Sequence, residues 1–161
     1  MKRLFFKIAI SLFGNSFKIA VLRRRGATVG EEVNYLTQHL PSANESKMLT
    51  IGSYTTVSSD VHLIFHDGAI GPLINRNPAY IARQIHVYKR DSIHIGSHVF
   101  IGLSSIVLPG SSIGDFSVIA AGSVVSGDVP PGEIWGGVPA IFIKKTEDYI
   151  QNVLEMNKIS K

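Results

Sequence analysis

A six-residue period runs through the second half of the chain and recurs in the first. From Ile95 to Pro130 the sequence divides into IGSHVF, IGLSSI, VLPGSS, IGDFSV, IAAGSV and VSGDVP, and every block begins with Ile or Val. The same frame recovers IGSYTT, VSSDVH and LIFHDG from Ile51 to Gly68, and VGEEVN from Val29. A period of six fits neither an α-helix nor a long two-sided strand. It predicts short strands that are joined by tight turns, each strand placing one aliphatic side chain inward.

Three such blocks complete one triangular coil, and stacked coils bury continuous ladders of Ile and Val. Successive coils stack about 4.8 Å apart, which leaves little room for a branched side chain at a corner. Small residues are therefore required at the turns, in agreement with the recurrent Gly, Ala and Ser of the blocks. The pattern predicts an all-β solenoid.

Residues 26–145, and above all the closing segment GSVVSGDVPPGEIWGGVPAIFIKK, resemble the hexapeptide-repeat acyltransferases. The resemblance is strongest to the branch that contains galactoside, maltose, xenobiotic and bacterial surface-polysaccharide O-acetyltransferases. It implies a left-handed parallel β-helix, a homotrimer, acetyl-CoA as the donor substrate and no metal. The left hand rests on the resemblance alone, because parallel crossovers are ordinarily right-handed.

Two segments depart from the repeat. Residues 69–94 interrupt the hexads directly after His66, and a long insertion in a solenoid is expected to protrude and to carry function. The segment PSANESK, residues 41–47, exceeds the repeat frame and is expected to be a short loop.

The ends of the chain are predicted to be helical. Residues 1–24 form an amphipathic N-terminal helix, 25–145 the β-helix acyltransferase domain, and 146–161 a short C-terminal helix. The N-terminal run is apolar, but Lys7 and Lys18 interrupt it, and the uncharged stretch between them is about half of a spanning helix. A helix packed on its own protein or on a neighbouring subunit is favoured. An interfacial membrane helix and a cleaved signal remain alternatives.

His66 is the candidate catalytic residue. In the block LIFHDG, Leu63 takes the inward position, so that His66 falls near a corner of the coil rather than in the aliphatic ladder. A neutral imidazole can take the proton from a hydroxyl as that oxygen attacks a thioester carbonyl. The resemblance gives a histidine at this point that role of general base. A corner histidine without a catalytic role is the alternative.

The acceptor-binding residues are harder to assign. Asp67 could orient the imidazole, bind an acceptor sugar, or begin the turn at Gly68. Asn75 and Arg76, with Tyr80 near them, lie in the insertion and are the other candidates for contact with the acceptor.

The donor site is implied by the resemblance. Acetyl-CoA is expected along a groove between neighbouring subunits, where extended backbone with little side-chain bulk can meet its amide-rich arm. A lysine would face the phosphates as a point charge. The residues at the matching positions are Gly102, Leu103, Ala121, Gly122, Ser126, Gly127 and Lys144. The coil corners need small residues in any case, so a purely structural role for them remains open.

Several other chemistries are disfavoured. The chain has no cysteine, which excludes thiolate nucleophiles and cysteine zinc sites, and a direct transfer without an acyl-enzyme is expected. A γ-class carbonic anhydrase uses three histidines on zinc, and this chain offers His62, His66, His86, His94 and His98. His62 and His66 are four residues apart, as are His94 and His98. In a six-residue repeat, that spacing places the two members of a pair on different sides of the coil or at a corner. A non-catalytic β-helix scaffold is the third possibility.

The net charge of +4 is concentrated near the ends of the chain, so a nucleic-acid stripe along the repeat is not supported. We expect a cytoplasmic homotrimer that acetylates a hydroxyl of a saccharide, or of a nucleotide- or lipid-linked sugar. Peripheral membrane contact through residues 1–22 is a further expectation. Transfer to an amino sugar or to an antibiotic on the same fold is the nearest alternative.

Overall fold

The computed structural model describes residues 14–69, 71–72 and 89–159. Its helices are α1 (14–24), α2 (Ala43–Ser46) and α3 (Thr146–Ile159). Its strands are β1 (Thr28–Val29), β2 (Asn34–Tyr35), β3 (Leu49–Ile51), β4 (Thr56–Val57), β5 (His62–Leu63), β6 (His66–Asp67), β7 (Lys89–Arg90), β8 (Ile93–Ile95), β9 (Phe100–Ile101), β10 (Ile106–Val107), β11 (Ser112–Ile113), β12 (Val118–Ile119), β13 (Val124–Val125), β14 (Asp128–Val129), β15 (Glu133–Gly137) and β16 (Ala140–Lys145).

Three sheets form the walls of the coil. Sheet A contains β1, β3, β8, β11 and β14; sheet B contains β2, β4, β9, β12, β15 and β16; sheet C contains β5, β10 and β13. From β3 onward the chain visits A, B and C in turn, and each strand pairs in parallel with its counterpart one coil away, as Val57 does with Ile101. This is the arrangement of a left-handed parallel β-helix, and it confirms the predicted fold class.

The inward positions of the repeat are filled as the sequence predicts. Val57, Ile101 and Ile119 stand above one another in sheet B and are fully buried. Ile113 and Val125 fill equivalent places in sheets A and C and are 1% exposed. Each such side chain contributes about 1.5–3 kcal/mol on burial. The continuous ladder is therefore the main source of stability in the described residues.

The coil has three corners, named here by the sheets that they join. The A/B corner carries Tyr54, His98 and Phe116, and the B/C corner carries Asp60, Ser104 and Gly122, all with a positive φ. The C/A corner follows sheet C and includes Pro109, Gly110, Ser126 and Gly127. Corresponding corners of successive coils stack in columns, so residues distant in sequence share one edge of the molecule.

Helix α1 packs across the open end of the coil. Leu22 is fully buried and Ile19 is 8% exposed. The buried Lys18 donates from Nζ to the carbonyl oxygens of Leu36 (3.0 Å) and Thr37 (3.1 Å). Residues 14–24 thus pack on their own protein, the alternative favoured above, while residues 1–13 lie outside the described part. Among the described residues, no helix has the length and apolar character needed to cross a membrane.

The other end of the coil finishes in an antiparallel pair. β15 continues sheet B, and β16 turns back along it with Gly137 opposite Ala140. Helix α3 follows with Glu147 and Asp148 in its first turn, where acidic side chains favour helix formation. Its apolar residues Ile150 and Leu154 are half exposed in the single chain.

The chain leaves the coil in two excursions. The first, residues 36–48, contains α2; the expectation of a plain loop at 41–47 is wrong, because Ser42 and Glu45 form a capping box that supports one helical turn. The second begins after Phe65, where β6 pairs antiparallel with β7. Strand β8 rejoins sheet A at Ile93, inside the stretch expected to protrude.

Candidate active site

His66 stands at the point where the chain leaves the coil. It directly follows Phe65, which is 1% exposed, and its own side chain is 52% exposed. A groove of about 310 Å³ opens beside it at the C/A corner. The groove is lined by Ile64, His66, Asp67, Gly68, Leu108 and Pro109. The expected position, near a corner and outside the aliphatic ladder, is the position that the structure has.

Glu45 of the first excursion reaches His66 of the second. Its Oε1 lies 3.4 Å from Nδ1 of His66, while its Oε2 accepts a hydrogen bond from the backbone N–H of Ser42 at 2.8 Å. The backbone N–H of Glu45 in turn donates to Oγ of Ser42. The capping box therefore holds one carboxylate oxygen and presents the other to the imidazole.

The carboxylate of Glu45 is ionised at neutral pH. Hydrogen bonding to Ser42, with a smaller contribution from His66, holds the pKa of Glu45 below its usual range. A carboxylate on Nδ1 fixes the ring and stabilises the imidazolium that forms when Nε2 accepts a proton. The pair is thus arranged for general-base chemistry at Nε2.

Glu45 was missed by the sequence reasoning. The pattern S-x-x-E at residues 42–45 is a capping-box signal and could have indicated the helical turn. No local pattern could have shown that its carboxylate meets a histidine 21 residues further along the chain, because that contact depends on how the two excursions fold back on the coil.

Asp67 stabilises the turn that follows it. Its Oδ1 accepts a hydrogen bond from the backbone N–H of Ala69 at 2.8 Å, and it pairs with Lys89 across the β6–β7 ladder. This agrees with the third interpretation given above, while its contact with an acceptor stays a prediction. Asn75, Arg76 and Tyr80 lie outside the described residues, so their part in acceptor binding is also still a prediction.

Four of the expected donor contacts lie at the B/C corner. The backbone N–H of Gly122 donates to the carbonyl of Leu103 at 2.8 Å, which stacks the two corners directly. Leu103, Ala121 and Gly122 are exposed, but Gly102 is buried. A Cβ on Gly102 would lie 2.5 Å from the backbone nitrogen of Ala121, so the stacking of coils already requires glycine there.

The remaining donor candidates lie elsewhere. Ser126 and Gly127 are at the C/A corner, where the N–H of Gly127 donates to Oγ of Ser111 at 3.3 Å. Lys144 is exposed on β16, opposite Ile134 of β15. In one chain, His66 and the Leu103–Gly122 column therefore occupy opposite edges of sheet C. About five residues of extended backbone lie between the two edges, which corresponds to a separation of roughly 16 Å.

The histidines of the carbonic anhydrase alternative are dispersed over the coil. His94 is exposed on β8, and His98 stacks between Tyr54 and Phe116, with ring centroids 5.0 and 4.7 Å away. His62 lies at the B/C corner, next to His39 and Asp60. His86 is outside the described residues. Within the described part of one chain, none of these joins His66 in a three-histidine set.

Known proteins resemble this chain at three levels. Residues 92–126 match the family described as the hexapeptide repeat of succinyl-transferase. Protein CapG of Staphylococcus aureus is 36% identical over 156 residues, which cover 96% of this chain and 84% of that protein. The putative lipopolysaccharide biosynthesis O-acetyl transferase WbbJ of Escherichia coli is 34% identical over 98 residues, 60% of this chain and 50% of that protein. This chain thus matches half of WbbJ.

Among solved structures, galactoside acetyltransferase in complex with coenzyme A superposes with a TM-score of 0.54 at 25% sequence identity. The match covers 76% of this chain and 56% of that one.

Proposed function

The chain belongs to the hexapeptide-repeat acetyltransferase family, and we propose that it moves an acetyl group from acetyl-CoA to a hydroxyl of a saccharide. The observation that carries this proposal is the His66–Glu45 pair beside a groove at the exit from the coil. A base held by a carboxylate at a surface groove is what transfer to an alcohol requires.

The proposed reaction is a direct transfer. Nε2 of His66 accepts the proton of the acceptor hydroxyl while that oxygen forms a bond to the thioester carbonyl carbon. The carbon–sulfur bond then breaks, and the imidazolium returns the proton to the departing thiolate of coenzyme A. Alignment of the two substrates and backbone N–H groups near the developing oxyanion would lower the barrier further.

We propose that the site is completed between subunits of a homotrimer. His66 and the exposed column of Leu103, Ala121 and Gly122 lie on opposite edges of sheet C, roughly 16 Å apart along extended backbone. A groove between neighbours would bring one subunit's His66 edge against the next subunit's column. The half-exposed apolar residues of α3 and β16 also favour assembly.

The proposed donor contacts are the backbone groups of Leu103, Ala121 and Gly122, with Ser126 and Gly127 near His66 and Lys144 toward the phosphates. The proposed acceptor is a free saccharide or a nucleotide- or lipid-linked sugar, which the similarity to a putative lipopolysaccharide O-acetyl transferase and to galactoside acetyltransferase supports. A hydroxyl needs a base more than a neutral amine does, and this favours O-transfer over N-transfer. The cytoplasm is the proposed compartment, because the donor is acetyl-CoA.

The test is a screen of the purified full chain with acetyl-CoA against free sugars, nucleotide sugars, amino sugars and lipid-linked sugars. Turnover is measured as release of the coenzyme A thiol. We expect release that depends on a saccharide and a product ester that hydroxylamine cleaves. A hydroxylamine-resistant amide would contradict O-transfer. Absence of acetyl-CoA binding by calorimetry would contradict acetyl transfer altogether and favour the scaffold alternative.

A further inference from the structure

Two histidines and one aspartate converge at the B/C corner, away from the carboxylate that holds His66. Nε2 of His39 lies 3.0 Å from Oδ1 of Asp60, and Nε2 of His62 lies 3.5 Å from the same oxygen. All three ligand atoms fall within 4.8 Å of one another. The two imidazole rings are inclined to each other by 32°, with their centroids 3.8 Å apart.

These separations suit a bound metal ion. A tetrahedral ion with bonds of about 2.1 Å sets its ligand atoms ~3.4 Å apart, and both nitrogen-to-oxygen distances lie close to that value. Imidazole nitrogen with one carboxylate oxygen is a ligand set that zinc and its divalent neighbours accept. Three protein ligands leave further positions for water.

The surrounding structure holds each ligand in place. Asp60 occupies the repeated corner position with φ 56°, and its Oδ2 accepts a hydrogen bond from Oγ of Ser104 at 3.2 Å in the next coil. The Tyr35 hydroxyl donates to the carbonyl of His39 at 2.8 Å, and the buried Thr37 donates from Oγ1 to the carbonyl of Val61 at 3.0 Å. The segment that carries His39 is thereby fixed against the coil.

In the single chain the three side chains are also accessible. The exposed fraction is 47% for the His39 side chain, 40% for His62 and 59% for Asp60. An ion can enter from solvent without opening the core.

We propose that His39, Asp60 and His62 form a binding site for one divalent ion of the zinc class, separate from the acetyl-transfer reaction. No step of the proposed transfer passes through this site. Since His39 belongs to the first excursion and the other two ligands to the coil, the bound ion would fasten the 36–48 excursion to the B/C corner.

The first test measures binding by the full chain after chelator treatment and removal of any affinity tag. Zn²⁺ is titrated by calorimetry, and Co²⁺ is followed by its visible absorption, which reports coordination geometry. We expect one ion per chain, a visible Co²⁺ band and a rise in Tm with Zn²⁺. A hydrogen-bonded cluster that takes up no ion would give none of these and would overturn the proposal.

Variants locate the ion. His39→Gln and His62→Gln should each weaken Zn²⁺ binding at least 100-fold, and Asp60→Asn should do the same while tolerating the positive φ. Ser104→Gly, which removes the hydrogen bond to Asp60, should weaken it about tenfold. Circular dichroism of the apo variants confirms folding.

Two control variants keep the ligand set intact. His94→Gln removes another exposed histidine, and His66→Gln removes the one at the groove; both should bind Zn²⁺ as the wild type does. Equal affinity in His39→Gln and wild type, or loss of the ion in His66→Gln, would contradict the assignment. Each result is independent of whether acetyl transfer is observed.

Discussion

The regular coil and the two excursions from it use different kinds of residue. In the coil, Val57, Ile101 and Ile119 repeat one inward position with parallel pairing and no exposure. In the excursions, Glu45 and His66 are polar, partly exposed and paired across two segments that follow no repeat. From this difference we predict that stability and the proposed chemistry depend on separate residues, so that substitutions in the two regions have separable effects.

Removal of the imidazole should produce the largest effect on chemistry. His66→Ala is expected to lower kcat by roughly 10²- to 10⁴-fold, because the acceptor hydroxyl loses its base. Steady-state thiol release measures this, and Tm and mass in light scattering should not change. The matched control His94→Ala should keep wild-type turnover. Near-wild-type turnover of a folded His66→Ala protein would remove the catalytic assignment.

A substitution in the ladder should do the reverse. Ile119→Ala is expected to lower the free energy of unfolding by about 2–5 kcal/mol, since it leaves a cavity between coils. Denaturant unfolding measures the loss, while kcat of the folded protein should be preserved. The outward neighbour Val118→Ala should cost less. An equal cost at both positions would contradict the inward ladder.

Loss of the carboxylate should have an intermediate effect confined to chemistry. Glu45→Gln keeps the capping box, in which glutamine replaces glutamate, but removes the negative charge of the carboxylate beside Nδ1 of His66. We expect kcat to fall about tenfold, the magnitude of a lost charged hydrogen bond. An unchanged kcat would show that the pair is only structural.

The pH dependence of this variant distinguishes positioning from packing. The pKa of Glu45 is held below its usual range, so its negative charge is lost only as the pH falls through that lowered value. The difference in kcat between wild type and Glu45→Gln should therefore be present near neutral pH and shrink in acid. A difference that does not change with pH would contradict electrostatic contact with His66.

The smallest effect is expected at the closing strands. Lys145 and Trp135 donate to Glu133 at 2.6 and 2.8 Å and hold the pKa of Glu133 below its usual range. A lowered pKa adds stability above the ordinary glutamate pKa, and this stability is lost as the pH falls through the lowered value. The Tm difference between wild type and Glu133→Gln should therefore be present at pH 7 and vanish in acid. A Tm difference that grew as the pH was lowered would contradict the expected direction.

The coil was largely predictable because every block repeats the same physical requirement. Ile or Val inward and a small residue at the corner suffice to place Ile101 or Ile119, and the break in the pattern suffices to place His66 at an exit. The excursions obey no such rule. Glu45 approaches His66, and His39 approaches His62, only through tertiary folding. Motifs along the chain therefore cannot reveal these contacts.

The donor candidates illustrate the same limit. Leu103, Ala121 and Gly122 are separated in sequence, yet the repeat alone predicts that they share a column. In the proposed trimer, the column that faces His66 is set by how the subunits meet. That packing depends on outward side chains, which the repeat leaves unspecified. The folded chain shows that His66 and the exposed column of Leu103, Ala121 and Gly122 lie on two different edges of sheet C.

The most direct test of the account uses mixed trimers in which every subunit is inactive alone and two different inactive variants are combined. His66→Ala removes the base at one edge, and Ala121→Trp blocks the exposed B/C column at the other. The two chains are co-expressed with different tags, and trimers that carry both tags are isolated. Every such trimer contains one interface at which an intact His66 faces an intact column.

If the site is shared between subunits as proposed, these trimers should recover about one third of wild-type turnover, although each parent is inactive alone. The measurement is acetyl-CoA-dependent thiol release with the acceptor found in the screen. Turnover that stays at the level of the parents would place base and donor surface within one chain and would contradict the account.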